Sequence, residues 1–374
     1  MRKESISAVQ LCMLMFTAII GTAFLTAPAS AANASGLDMW IAPICGLAGG
    51  LLCMGILIAL HKLYPGQTIV QYANQIAGKF TGSLVSLLFL SFTLYTTAYV
   101  LRQFTDFVCM SFLPETPPVI IAGSLILVCA AAAYAGVEVI CRLSAALVPL
   151  PLFLVGLIFI PLYTKFTPVL PIFEYGFLPS LKGGFIMQLW FGIFSMASFY
   201  IPYVHNRNKL TKWAMLSVVF FCGMMVLINW NVVSILGNAT GMYHYPFMVV
   251  SRYVSFSEFF EHLESVLMMV WAALIFTRLT FGYYAFVIGI SQFLKLPDHK
   301  PMVLPVGMLI AIISFWGINS SQHGSTVPML MAAYYIFNGI ALPLLLLIAA
   351  WVRKGLKPSA RQSDASTEEE SPSV

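Results

Sequence analysis

The sequence predicts an all-α polytopic membrane protein, with ten transmembrane helices arranged as a 5+5 inverted repeat and helices 1 and 6 broken. Three observations carry that prediction. Apolar residues dominate the chain, ten apolar windows of spanning length follow one another, and basic residues gather at alternate ends of those windows.

Hydrophobic residues make up 60% of the 374 residues and charged ones only 9%, and the mean hydropathy is +0.88. A soluble core cannot hide that much apolar surface, whereas lipid solvates it directly. The lipid bilayer is therefore the first expected partner. The seven cysteines (Cys12, Cys45, Cys53, Cys109, Cys129, Cys141 and Cys222) are scattered singly through apolar stretches. They read as small buried hydrophobes, so no metal site and no cofactor is expected. The net charge of +5 is a topology signal, and nucleic acid is not an expected partner. No Walker loop, zinc-ligand cluster or nucleophile elbow occurs, and no enzyme is expected.

Apolar windows bounded by turn and charge signals fall at about 8–29, 40–62, 83–110, 118–135 and 140–163, then at about 184–204, 211–236, 264–293, 302–318 and 327–352. Arg2 and Lys3 before the first window suggest a secretory signal. Its apolar run exceeds the usual signal core of about 7–15 residues, so the segment is expected to stay as the first span. The windows define a transmembrane domain over 1–356, with repeat one at about 8–163 and repeat two at about 184–352. The polar stretch 357–374 reads as a disordered cytoplasmic tail. Of the 19 basic residues, 14 lie at one set of ends, three (Lys165, Lys182 and Arg252) at the other, and Arg102 and Arg278 fall within spans. The positive-inside rule then predicts a multi-pass protein with both termini cytoplasmic. Ile69, Tyr72, Ala73 and Ile76 recur at helical spacing between spans two and three, which fits either a helix on the cytoplasmic face or a plain loop.

Two spans carry small residues where leucines are usual. Ile20-Gly21-Thr22-Ala23 lies in the first, with Pro28 after it; Gly192, Ser195, Met196 and Ser198 lie in the sixth, with Pro202 after them. Paired interruptions at corresponding places in two halves point to a solute site at the bilayer midplane. Freed backbone groups there could hold a carboxylate or an ammonium, and Thr17 and Thr22 add hydroxyls. Close helix packing through small residues is the competing explanation. Tyr99 and Tyr95 lie one and two turns from Arg102 and either line the cavity or pack. Arg102 and Asp106 are four apart, so they share a helix face and can pair. Arg278 sits near the centre of span eight and should face the bundle interior. Glu264 in the same helix is about 21 Å away and is no direct partner. Arg278 thus reads as a fixed cation where sodium-coupled transporters hold an ion. Glu258, Glu261 and Glu264 read as a solvated face, and Asn238-Ala239-Thr240 as a chance glycosylation match.

Several local patterns together resemble the B subunit of spore germinant receptors, the endospore germination permease family of the amino acid–polyamine–organocation superfamily. They are Ile20-Gly21-Thr22 with Pro28, Asp38-Met39-Trp40, Tyr64-Pro65 to Gly78-Lys79, Leu113-Pro114-Glu115-Thr116-Pro117, Tyr245-Pro246, and Phe260-Glu261-His262-Leu263-Glu264 with Trp271. The resemblance implies a ten-helix inverted repeat in the inner spore membrane. It also implies nutrient (germinant) sensing beside an A subunit and a lipoprotein C subunit. Met196 stands in the sixth-span break where some relatives carry a glutamate. An active secondary amino acid transporter is the alternative function, and a purely structural membrane subunit the third.

Overall fold

The computed structural model describes residues 4–162, 173, 176–252, 263–316 and 326–355. Among them are nine helices long and apolar enough to cross a membrane, plus a shorter apolar one, Lys300–Trp316. Together they occupy all ten predicted windows. The helices are α1 (Ala8–Ser35), α2 (Ala42–Leu63), α3 (Ile69–Ala77), α4 (Lys79–Ser111), α5 (Pro118–Ala135), α6 (Val137–Leu147), α7 (Pro149–Leu162), α8 (Phe177–Ile186) and α9 (Gln188–Phe191). The second half adds α10 (Arg207–Leu236), α11 (Pro246–Arg252), α12 (Leu263–Phe293), α13 (Val303–Trp316), α14 (Thr326–Ile336) and α15 (Leu342–Gly355). Spans five, six and ten are each built from more than one of these pieces. The tail, Glu258 and Glu261 lie outside the described residues, and so does the side chain of Glu264.

Burial sorts the spans into centre and rim. The window containing α1 is 83% buried and that of α12 is 67% buried, against 28% for α6–α7. Helix α1 packs on α12, α10, α6 and α8, while α12 packs on α4 and α5. The two central helices thus meet each other and both halves of the chain. The short helix α3 buries Ile69, Val70, Tyr72, Ala73 and Ile76 against α4 and α15. Thr68 and Gln71 close its start with a capping box. This selects the helical alternative for that stretch over the loop.

The expected break in helix 1 does not occur. Helix α1 runs from Ala8 to Ser35 through Gly21, with Pro28 inside it. The cause is local. Thr17 donates to the Met13 carbonyl at 2.9 Å and Thr22 to the Ile19 carbonyl at 3.3 Å, so both hydroxyls turn back on their own helix. A Cβ on Gly21 would stand 2.7 Å from the Leu274 carbonyl oxygen. Gly21 is therefore the place where the backbones of α1 and α12 touch, as small residues allow in membrane bundles. Pro28 removes only the amide that would reach the Phe24 carbonyl, a loss that a long, packed helix tolerates.

The sixth span does leave α geometry. After α9 the chain continues as a 3₁₀ stretch over Gly192–Phe199, then a short 3₁₀ turn at Ile201–Tyr203. Runs of 3₁₀ beyond three or four residues are uncommon and mark hinges or strained segments. Every residue from Gly192 to Phe199 is buried.

Candidate functional site

The 3₁₀ stretch crosses a second irregular element that the sequence did not signal. Between α14 and α15 a π turn spans Phe337–Ala341. A Cβ on Gly339 would lie 3.1 Å from the Gly192 Cα, and one on Gly192 would lie 3.1 Å from the Tyr335 carbonyl oxygen. Cys53 Sγ donates to the Gly339 carbonyl at 3.1 Å. The two glycines let two non-α backbones meet where each has reduced hydrogen bonding of its own. Ser195 Oγ donates to the Gly192 carbonyl at 2.7 Å, inside the stretch. Ser198 Oγ is buried with no hydrogen-bond partner among the described residues, and so is Asn338 Oδ1 in the π turn. Met196 is fully buried.

Arg278 stands in α12 beside this crossing. Its residue is 0% exposed, and Nε, Nη1 and Nη2 have no hydrogen-bond partner among the described residues. Its Nη1 lies 3.2 Å from where a Cβ of Gly282 would be, and Thr97 Oγ1 borders the same spot. Tyr200 and Tyr335 are its electrostatic neighbours. Tyr200 is held in place by its own bond, donating to the Phe281 carbonyl at 2.6 Å and stacking on the Phe281 ring. From Arg278, tyrosines lead along α4 and α14. The ring of Tyr95 meets Tyr334 edge-on at 6.1 Å, and its hydroxyl reaches Met331 Sδ at 3.7 Å. Tyr99, 37% exposed, lies at the outer edge of that group.

Both approaches to Arg278 are covered. On the side away from the N-terminus, Trp271 packs with Phe104 at 5.3 Å and with Phe107 at 4.4 Å between ring centroids. Tyr245 closes edge-on over Phe107 at 4.9 Å. Burial pushes the Tyr245 hydroxyl up to about 12, with Tyr99 and Asp106 adding to the shift, so this cover stays uncharged. On the N-terminal side, Ile6 pairs with the chain after the sixth span. Its amide donates to the Tyr203 carbonyl at 3.0 Å, and His205 N–H donates to the Ile6 carbonyl at 3.1 Å. The Glu4 carboxylate accepts from the Val137 amide at 3.2 Å, at the start of α6, and from the Tyr284 hydroxyl at 3.4 Å. Glu138 returns the contact by accepting from Ser5 N–H at 3.0 Å. Gly136, at φ +95°, makes the turn that lets the carboxylate sit against the helix start.

The predicted residues therefore divide into groups. Gly192, Ser195, Met196 and Ser198 lie in the 3₁₀ stretch, which packs on the π turn and on α1 and α12, the helices that carry Gly21 and Arg278. Thr17, Thr22 and Ala23 are buried in α1. Ile20 faces an apolar crevice with Phe24, Leu154, Met224 and Phe247. Arg102 and Asp106 form their expected pair at 2.9 Å, each side chain 22% exposed, with Arg102 also lying over the Phe315 ring at 5.5 Å. That pair sits outside the central group, a helical turn beyond Tyr99. Sequence reasoning missed Tyr200, Tyr335 and Gly339. The only signal for Gly339 was a lone glycine in span ten, and glycine is frequent in such spans.

Comparison with known proteins agrees with this architecture. The chain is similar to Spore germination protein KB of Bacillus subtilis (strain 168), with 25% identity over 366 residues, covering 95% of this chain and 97% of that protein. It is also similar to Spore germination protein GerQB of Bacillus cereus, with 25% identity, covering 92% and 95%. Among solved structures it superposes on MhsT in complex with L-phenylalanine at TM-score 0.70 with 11% identity, covering 96% of this chain and 94% of that one. It superposes on MHP1, a nucleobase-cation-symport-1 family transporter in a closed conformation, at TM-score 0.68 with 11% identity, covering 97% and 96%. These likenesses give the chain the inverted-repeat transporter fold. The match to the family Spore_permease, spore germination protein, extends over residues 5–323. The chain belongs to the Spore_permease family of spore germination proteins.

Proposed function

We propose that the chain is the nutrient-sensing membrane subunit of a germinant receptor, binding a small solute such as an amino acid against the 3₁₀ stretch Gly192–Phe199. The observation that carries this reading is the crossing itself. A buried, non-α segment with an unpartnered Ser198 hydroxyl adjoins the central helices, and irregular membrane backbone is tolerated where it meets protein or ligand. With Trp271 and Tyr245 on one side and the Ile6 pairing on the other, the conformation is closed at both approaches. Solute binding would then shift the balance between closed and open states, and the shift would pass to an A subunit and a lipoprotein C subunit in the inner spore membrane. Both termini would be cytoplasmic.

Spores whose only copy carries Ser198→Leu should lose their germinant response by tenfold or more in optical-density germination assays, with normal protein levels. An undiminished response would overturn the site. Active secondary amino acid transport is the second reading, favoured by the superposition on transporters. Concentrative uptake by the chain alone in liposomes decides for it; binding without uptake decides for sensing.

A further inference from the structure

Among the described residues, no hydrogen bond and no ion pair balances the formal charge of Arg278. Among the described residues the acids are placed elsewhere. Asp106 pairs with Arg102 at 2.9 Å, and Asp38 accepts from the Phe173 amide at 3.1 Å. Glu4 and Glu138 hold the N-terminal pairing, Asp298 lies against His299 at 3.4 Å, and Glu115 is exposed. Glu264, in the same helix, is about 21 Å along the axis. The guanidinium has room beside Gly282 on α12, and its neighbour Tyr200 is fixed by its own bond to the Phe281 carbonyl.

We infer that Arg278 is the seat of a small anionic group, either a carboxylate on the solute or a free halide. This rests on the reading that solute binds at the Gly192–Phe199 crossing, and it adds the chemical class. A guanidinium offers five N–H donors in a planar fork that matches a carboxylate with two parallel bonds. All three of its nitrogens are unpartnered here, so an arriving anion displaces no existing bond. The anion also relieves an unpaired buried cation, and that relief is the differential interaction a ligand needs to shift a conformational equilibrium. The site would accept amino acids and other carboxylates and discriminate against neutral sugars and nucleosides.

The full chain in lipid nanodiscs tests this through its thermal midpoint. The probes are a panel of L-amino acids, the matching amino-acid amides, glucose, inosine, and potassium chloride against potassium sulfate at equal ionic strength. At least one amino acid or chloride should raise the midpoint. If the anion comes from the solute, the matching amide should bind about 10- to 100-fold more weakly. If it is a halide, chloride alone should give the full shift. Arg278→Met should abolish the shift, and Arg278→Lys should keep part of it. The wild-type comparison of acid with amide needs no variant and stands even if one fails to insert. Equal binding of an acid and its amide with no chloride effect, or a shift that survives Arg278→Met, overturns the anion seat. So does the absence of any shift with every carboxylate and with chloride. A shift produced by glucose or inosine and lost in Ser198→Leu would overturn the anion seat while leaving the proposed site standing.

Discussion

At the scale of single residues, Gly21 and Arg278 show what a sequence can and cannot convey. Both stand out as unusual within apolar windows. What each one faces depends on residues far away in the chain. Gly21 is small because the Leu274 carbonyl passes over it, and no period within span one encodes that contact. The competing physical effects make a test. Gly→Ala in a helix interior ordinarily stabilises by about 1 kcal/mol. A Cβ at 2.7 Å from a backbone oxygen forces overpacking that costs about 1–3 kcal/mol. Gly21→Ala should therefore lower the thermal midpoint of the purified protein. Gly223→Ala, in α10 with nothing within 4 Å of the added Cβ, should leave it unchanged or raise it. If the two variants shift alike, Gly21 is not a packing contact. Arg278, by contrast, was legible as an interior residue, because a lone arginine at mid-helix costs about 2.5–3.5 kcal/mol even on insertion scales and cannot face lipid. Its neighbours Tyr200 and Tyr335 were not legible, being placed by the crossing of two other spans, six and ten.

At the scale of elements, regular helices follow from apolar length and caps, and most ends fell within a few residues of the sequence reading, although α1 runs six residues further, to Ser35, and the sixth span starts seven residues earlier, at Phe177. Helix α3 was half legible: its spacing allowed a helix or a loop, and the structure shows the helix with the spaced apolar residues buried. The 3₁₀ stretch was half legible, from Gly192 and the serines. The π turn at Phe337–Ala341 was not, because an inserted residue shifts one turn without changing composition. If the two irregular segments form one joint, Gly192→Ala and Gly339→Ala should be non-additive. A double-mutant cycle on thermal stability should give a coupling of about 0.5–3 kcal/mol, and simple additivity would separate the segments. The N-terminal pairing is a second joint. Glu4→Gln weakens the charge-assisted bonds that hold it to Val137 and Tyr284. In a variant retaining only Cys141, which is buried in α6 behind this contact, Glu4→Gln should speed maleimide labelling severalfold. An unchanged rate would mean that the contact does not guard that side.

At the scale of the whole molecule, charge and connectivity make one argument. Lys62, Lys79, Arg142, Arg207, Lys209, Lys212, Lys295 and Arg353 all fall toward the ends of their spans on the side of the N-terminal pairing, whereas Lys182 and Arg252 fall toward the other. The halves match because each contributes five spans, and an odd number of spans per half reverses the second half relative to the first. The inversion puts the starts of spans one and six on opposite faces, so their irregular or small-residue stretches can meet at one depth. Span parity puts both termini on one side, and the charge bias predicts that this side is the cytoplasm. Single cysteines placed at Glu115, Met242 and Lys209, all exposed, in a background without the seven native cysteines, should sort by side. Glu115→Cys and Met242→Cys should react with a membrane-impermeant maleimide in intact cells, and Lys209→Cys only after permeabilisation. Reaction of Lys209→Cys in intact cells together with protection of Glu115→Cys would invert the orientation. Labelling of Glu115→Cys but not Met242→Cys would break the span parity on which the inverted repeat depends.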